Sequence, residues 1–361
     1  MNKIIILFAI TLIIFYIIRK KVQKNGLSLL GSSRGETFLD MVKRSNVDHK
    51  YYLGANFVKL PDLLGSKLPK YLKYKEKYLT LSELGQGSCN ACWSFTVTQM
   101  IADRISIMTG GKIFRPLSAQ EMISCFRSGN SNKGCTVGGI PEYAYSYIAE
   151  NGISTQDDYE YLQRKTTQIH GCQRNKLNGF RTFIDKNSIK NICMDPYIYK
   201  EGSSRYNKII EDNVLNMKRE LLYHGPFVGT IYVKQSMHDY DGLSVYRGGD
   251  NDNSKGYGHA VVIVGYSECG INTDEKNFNY PYWIVRNSWG SDWNKHNNGY
   301  FYIEMGNNIC GIESRSSSAI PKLTEEIKMN RTDINESRYI SYSDYINDPE
   351  KENYINTVGS K

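Results

Sequence analysis

A cysteine at the start of a helix is the residue of this chain best placed to do chemistry. In Gln86-Gly-Ser-Cys-Asn-Ala-Cys92-Trp-Ser-Phe95, Cys92 is followed by apolar residues at three- and four-residue spacing (Trp93, Val97, Met100, Ile101, Ile105, Met108). The pattern stops at Gly110-Gly111, so the spacing predicts a helix whose first turn holds Cys92. Free backbone N–H groups and the positive end of the helix dipole favour a thiolate there. A thiolate is the form that nucleophilic catalysis requires. Three other uses compete. The cysteine could be structural. Cys89-x-x-Cys92 has the first half of a zinc spacing, but no second Cys-x-x-Cys or His-x-x-x-His follows at the right distance, and no metal site is expected. It could also be a redox pair, although thioredoxin-like motifs usually carry Trp before the first cysteine, and here Trp93 follows the second.

Two downstream blocks supply partners for a thiol. Gly256-Tyr-Gly-His259-Ala-Val-Val-Ile-Val-Gly265 reads as a buried β-branched strand with His259 at its start. Tyr282-Trp-Ile-Val-Arg-Asn287-Ser-Trp289-Gly has the same strand character and ends in Asn287. A lone histidine near a strand is usually structural. This one, among six, precedes an Asn-Ser-Trp-Gly block.

Together the three blocks resemble the active-site signature of papain and the cathepsins, whose core is Cys-Gly-[Ser/Ala]-Cys-[Trp/Tyr]. The resemblance covers Leu68 to Lys322. It departs at Asn90, where the family has Gly; Asn tolerates positive φ better than most residues. The interval from Cys92 to His259 also exceeds the usual 130–150 or so residues, which calls for inserted loops. The resemblance implies a cysteine endopeptidase acting on polypeptides, without a cofactor. In it His259 takes the thiol proton and later protonates the leaving amine. Asn287 orients the imidazole, Trp289 shields that bond, and Gln86 donates to the oxyanion beside the backbone N–H of Cys92.

The same resemblance extends to specificity. Gly134-Cys135-Thr-Val-Gly138-Gly139 is similar to the family's Gly-Cys-x-Gly-Gly block, with one residue more. It implies that Gly138 and Gly139 offer backbone hydrogen bonds to an extended substrate. Implied disulfides are Cys89 with Cys135 and Cys125 with Cys172; Cys193, Cys269 and Cys310 stay unassigned. Arg315 falls where the floor of the S2 pocket is expected and would favour an acidic P2 residue; its other reading is a solvated arginine at a strand end. Asp103-Arg104-Ile105, Cys310-Gly-Ile-Glu-Ser and Ala319-Ile-Pro are closest to cathepsin B. No His-His stretch lies between Gly139 and Cys172, which implies endopeptidase action. The expected fold is α+β: a papain-like helical left lobe carrying Cys92, and a β-barrel-like right lobe carrying His259 and Asn287. An inactive papain-fold binding protein and a thiol–disulfide oxidoreductase are the rival functions.

The surrounding chain must position these blocks. With 361 residues, 40% hydrophobic and 23% charged, it can build a sizeable core. The net charge of +8 is spread along the chain, unlike the clustered patch of a nucleic-acid binder, so no nucleic-acid partner is expected. Eight cysteines suit an oxidising compartment. Residues 1–21 hold an apolar run over 4–18 between basic flanks, with no small-residue cleavage site, and predict a membrane anchor. The alternative is a secreted or lysosome-like protein after its cleavage. The basic residues that follow the run favour a cytosolic catalytic domain and the cysteines a lumenal one, a conflict the composition leaves open. Residues 22–67 are expected to be an inhibitory prosegment lying over the cleft, and 68–322 the peptidase domain. Residues 323–361, polar and with sequons at Asn330 and Asn335, are expected to form a disordered tail.

Overall fold

The computed structural model describes residues 57–60, 68–80, 85–126, 135–136, 138–162, 171–174, 179–249, 256–268, 271–272, 277–330 and 339–341. The apolar run 4–18 lies outside them. Among the described residues no helix is long and apolar enough to cross a membrane.

Helix α1, Cys92–Met108, is the central element of the left lobe. Every residue from Trp93 to Ile107 is buried, so it is a core helix covered on all faces rather than a surface helix with one apolar stripe. Its polar side chains are absorbed locally. The hydroxyls of Thr96, Thr98 and Thr109 donate to carbonyls one turn back, at 2.9, 2.9 and 2.8 Å. It ends where Gly110 and Gly111 take positive φ. Helix α2 (Ala119–Cys125), capped by Ser118, and helix α3 (Pro141–Asn151), which starts at Pro141, pack against α1 around Trp93, Met100, Ile101, Tyr145 and Ile148.

The right lobe is an antiparallel sheet built on β4, Tyr257–Ser267. The other members are β1 (Tyr71–Tyr74), β2 (Lys190–Asn191), β3 (Phe227–Val233), β7 (Tyr282–Arg286), β8 (Tyr300–Glu304), β9 (Ser316–Ser318) and β10 (Tyr339–Ser341). Strands β5 (Ile271–Asn272) and β6 (Asn277–Phe278) form a separate hairpin. One edge of β4 pairs with β3 up to Ile263 and then, from Gly265, with β1, while the opposite edge pairs with β7 through a register shift between Ile263 and Gly265. Gly265 is required at this change of partner, because a Cβ there would sit 2.4 Å from the carbonyl oxygen of Leu72. The change of partner curls the sheet around a core that includes Tyr266, Phe278, Trp283 and Phe301. Helix α4 (Ser204–His224), capped by Ser203 and stopped at Gly225, covers this core; the short helix α5 (Gln235–His238) follows β3.

The two lobes meet across buried charge. Arg104 on α1 reaches Glu220 on α4 (2.7 Å), and its other nitrogens donate to the carbonyls of Pro226 and Ala319. The preceding residue, Asp103, pairs with Arg286 at the end of β7.

The described residues revise the expectation of a disordered stretch directly after residue 322. The folded unit runs past residue 322. Leu323 and Ile327 pack against the α1 core in a last helix, α6 (Glu325–Asn330), Arg115 grips Glu326 through two bonds (2.9 and 2.7 Å), and β10 pairs with β1. The polar average of the segment hides Leu323 and Ile327, two apolar residues one helical turn apart. Of the stretch 22–67, residues 57–60 lie on the right lobe. Val58 N–H donates to Asn191 (3.0 Å), and Asn216 of α4 bonds both Leu60 N–H (2.8 Å) and the Val58 carbonyl (3.0 Å).

Candidate active site

Cys92 is the first residue of α1, and Ala91 before it offers no side-chain cap, so the thiol meets uncapped N–H groups. The loop ahead of it is held rigidly. Cys89 is bonded to Cys135, which removes Cys89-x-x-Cys92 as a dithiol redox pair. Asn90 does not take a positive φ; its backbone N–H donates to Cys135 (2.9 Å) and its side chain to Thr136 (3.1 Å). The departure from Gly is therefore accommodated by hydrogen bonding. A second disulfide joins Cys125 to Cys172. Cys193 is a buried thiol, and Cys269 lies outside the described residues.

His259 projects from the start of β4 and is buried. Its Nε2 lies 2.7 Å from Oδ1 of Asn287, which also accepts the Ser288 backbone N–H at 2.8 Å. That second donor fixes the amide orientation, so Nε2 carries a proton and donates it, and Nδ1 is left as the acceptor. The Trp289 ring covers the pair, 5.0 Å from the imidazole. The Cys92 sulfur lies within hydrogen-bonding reach of the Ala260 backbone N–H, one residue past His259.

Burial dominates the electrostatics. It pushes the Cys92 thiol up, against the N–H groups of Ala260, Trp93 and Cys92 itself, which favour the thiolate. This corrects the simple helix-end expectation of a low thiol pKa. Burial also pulls the imidazole down to about 4; the bond to Asn287 opposes this and the charge of His238 adds to it. Burial thus disfavours the charged form of both groups. With that value the imidazole is neutral in the fold above about pH 4. A folded pKa of about 4, against roughly 6.5 unfolded, means the unfolded chain binds more protons between those values. Stability must then rise with pH across that window, by about 3 kcal/mol in total. Comparing Tm from pH 4 to 7 for Cys92→Ala with Cys92→Ala/His259→Gln checks this. The double variant is expected to lose that part of the slope, and equal slopes would contradict it.

Gln86 is also buried and tied to the Asn287 segment. Its backbone N–H donates to the Ser288 carbonyl (2.7 Å), and its Oε1 accepts the Ser288 hydroxyl (2.6 Å). Its Nε2 donates to the Cys89 carbonyl (2.9 Å), which engages one of its two N–H bonds. Ser288, which sequence reading passed over, therefore connects the Asn287 amide to the Gln86 amide. Gly138 takes φ +77°, and Gly139 lies so close to Trp93 that a Cβ would stand 2.7 Å from its ring. Glycine is needed at both positions.

Arg315 lines a cavity of about 290 Å³ together with Thr230, Tyr197 and Gly258, the residue before His259. Burial raises the Glu142 carboxyl pKa, while the charge of Arg315 pulls it down. On the Trp289 side, His238 stacks on the indole (4.6 Å, 9°), and its Nε2 hydrogen-bonds the Tyr257 hydroxyl (2.9 Å). Neither His238 nor Tyr257 carried a local signal; their proximity depends on the return of β4 beside α5.

A family model for papain family cysteine proteases matches residues 68–320. A cathepsin B-like cysteine proteinase 6 of Caenorhabditis elegans is 32% identical over 260 residues, covering 66% of this chain and 62% of the relative. The pro-cathepsin H of Mus musculus is 30% identical over 257 residues, covering 71% and 66%. This chain thus spans just under two thirds of the length of these relatives. Among solved structures, procathepsin B S9 from Trypanosoma congolense superposes with a TM-score of 0.56 at 25% identity, over 75% of this chain and 84% of that one.

Proposed function

This chain belongs to the papain family of cysteine proteases, and on that premise we propose that it is an endopeptidase with Cys92 as nucleophile. His259 Nδ1 takes the thiol proton, and the sulfur attacks the scissile carbonyl. The oxyanion is met by the backbone N–H of Cys92 and the second N–H of Gln86 Nε2. His259 then protonates the leaving amine, and a water activated by the same imidazole hydrolyses the thioester. Asn287 keeps the ring oriented throughout. Gly138 and Gly139 present backbone to the substrate, and Trp289 lines the leaving-group side.

The observation that carries this reading is the Asn287 amide, locked by Ser288 so that His259 donates from Nε2 and keeps Nδ1 for the thiol. In the same reading residues 22–67 inhibit the cleft before processing, and the basic-flanked apolar run 4–18 anchors the protein to a membrane.

Arg315 on the cavity beside Gly258 supports a preference for acidic P2 side chains, moderated by the Glu142 carboxylate. Blocked fluorogenic peptides that differ only in P2 test both claims. Cleavage of the blocked, internal bond is expected, with kcat/KM for P2 Glu about 10-fold above P2 Arg, and Arg315→Ala abolishing the difference. That ratio is the order of one charge-assisted bond. Equal rates, or a preference for Arg, would contradict the pocket assignment, and no cleavage would contradict the activity.

A further inference from the structure

The segments that carry Cys92 and Asn287 are distant in sequence, yet one buried cluster ties them together. Arg286, the residue before Asn287, is fully buried and extends its guanidinium across the lobe interface. Its Nη2 meets Asp103 Oδ2 on α1 at 2.7 Å, its Nε donates to Gln99 Oε1 on the same helix at 3.2 Å, and its Nη1 donates to the Thr80 carbonyl at 2.8 Å. Asp103 Oδ1 in turn accepts the Thr80 backbone N–H (2.6 Å) and hydroxyl (2.9 Å). Thr80 lies six residues before Gln86, and Asp103 eleven residues after Cys92 on a single unbroken helix.

Both charges are completely shielded from solvent. Such a pair is a poor source of stability, because apolar residues of similar volume usually hold an interface as well or better. What it supplies is geometry. A guanidinium fork with three fixed partners permits one register of helix against strand, where packed hydrocarbon permits several. Catalytic groups need that register, since a displacement of about 1 Å can cost on the order of 100-fold in rate.

Resting on the peptidase reading above, we propose that the Asp103–Arg286 pair is a positioning device that sets the Cys92 helix against the Asn287 strand end. It acts through those residues and touches no substrate. It also holds Thr80 in the same frame.

The test compares wild-type protein with Asp103→Leu/Arg286→Met, which removes both charges together, and with Arg286→Lys, which keeps a charge but loses the fork. Tm, kcat and KM are measured on a blocked fluorogenic peptide, and the iodoacetamide alkylation rate of Cys92 is followed against pH by peptide mass. The double variant is expected to keep its Tm within a few degrees, while kcat falls about 10- to 100-fold and KM changes less than about 3-fold. Its alkylation profile is expected to move to higher pH, because a misplaced imidazole no longer supports the thiolate. Arg286→Lys is expected to fall between the two. A folded double variant with kcat within 2-fold and an unmoved alkylation profile would overturn the proposal. If the double variant does not fold, Arg286→Lys decides by the same criteria. Alkylation needs no substrate, so it tests positioning even if wild-type protein cleaves no peptide, an outcome that would overturn the peptidase reading alone.

Discussion

Cys92→Ala is expected to lower kcat by about 10⁴- to 10⁶-fold while leaving peptide binding and Tm close to those of the parent. The size follows from the site's construction. In the proposed mechanism Gln86, His259 and Asn287 all act on a thioester that cannot form without the sulfur, so what remains is the binding and oxyanion contribution over uncatalysed hydrolysis. The variant should not unfold. The helix that Cys92 starts is held by the Cys89–Cys135 bond, the Trp93 contacts and the interface charges. Steady-state cleavage together with peptide capture on the variant separates the two effects. Retained turnover would remove Cys92 from the mechanism.

The largest effect on stability is expected at Arg104. Arg104→Leu leaves Glu220 buried without its principal counter-charge and deprives the carbonyls of Pro226, Ala319 and Gly225 of a donor. Breaking one partner of a buried pair costs about 3–5 kcal/mol, or roughly 6–20 °C in Tm at this domain size. Lys190 and His224, both at 2.9 Å, and the Ser318 hydroxyl still meet the carboxylate, which favours the lower part of that range. Burial alone would push the Glu220 carboxyl up, but Arg104, His224 and Lys190 hold it well below the usual range. A depressed carboxyl contributes stability that is present above its unfolded pKa, about 4.3, and lost as pH falls through the folded value. The gap between parent and variant should therefore narrow in acid. Thermal unfolding at pH 7 and at about pH 3, below the unfolded carboxyl value, checks this; a Tm within 2–3 °C of the parent at pH 7 would show that Arg104 does not carry the interface.

These expectations draw unequally on sequence and structure. The helix of Cys92 and the strand of His259 were legible because both are local patterns: apolar spacing bounded by glycines in one case, a β-branched run in the other. Asn287 was legible through its Trp-Gly neighbours. Ser288 was not, since a serine after an asparagine means nothing until Gln86 lies against it. Asp103 and Arg286 were legible only as part of a likeness to cathepsin B and as a residue in a strand; their pairing requires the lobes to meet. The thiol illustrates the limit most clearly. Helix position suggests a depressed pKa, but burial, which depends on the opposite lobe, reverses the direction. The final helix was hidden for a simpler reason: two apolar residues in a polar segment do not register in composition, yet Ile327 is buried against the α1 core.

The central claim is that Cys92 is a reactive thiolate inside a substrate cleft. The most direct test treats folded protein, with and without residues 22–67, with an epoxysuccinyl peptide probe and reads intact mass and the modified peptide. The account predicts one adduct on the trimmed protein, located at Cys92 and lost in Cys92→Ala, with Cys193 unmodified. No adduct on folded, trimmed protein, or an adduct that survives Cys92→Ala, would contradict it.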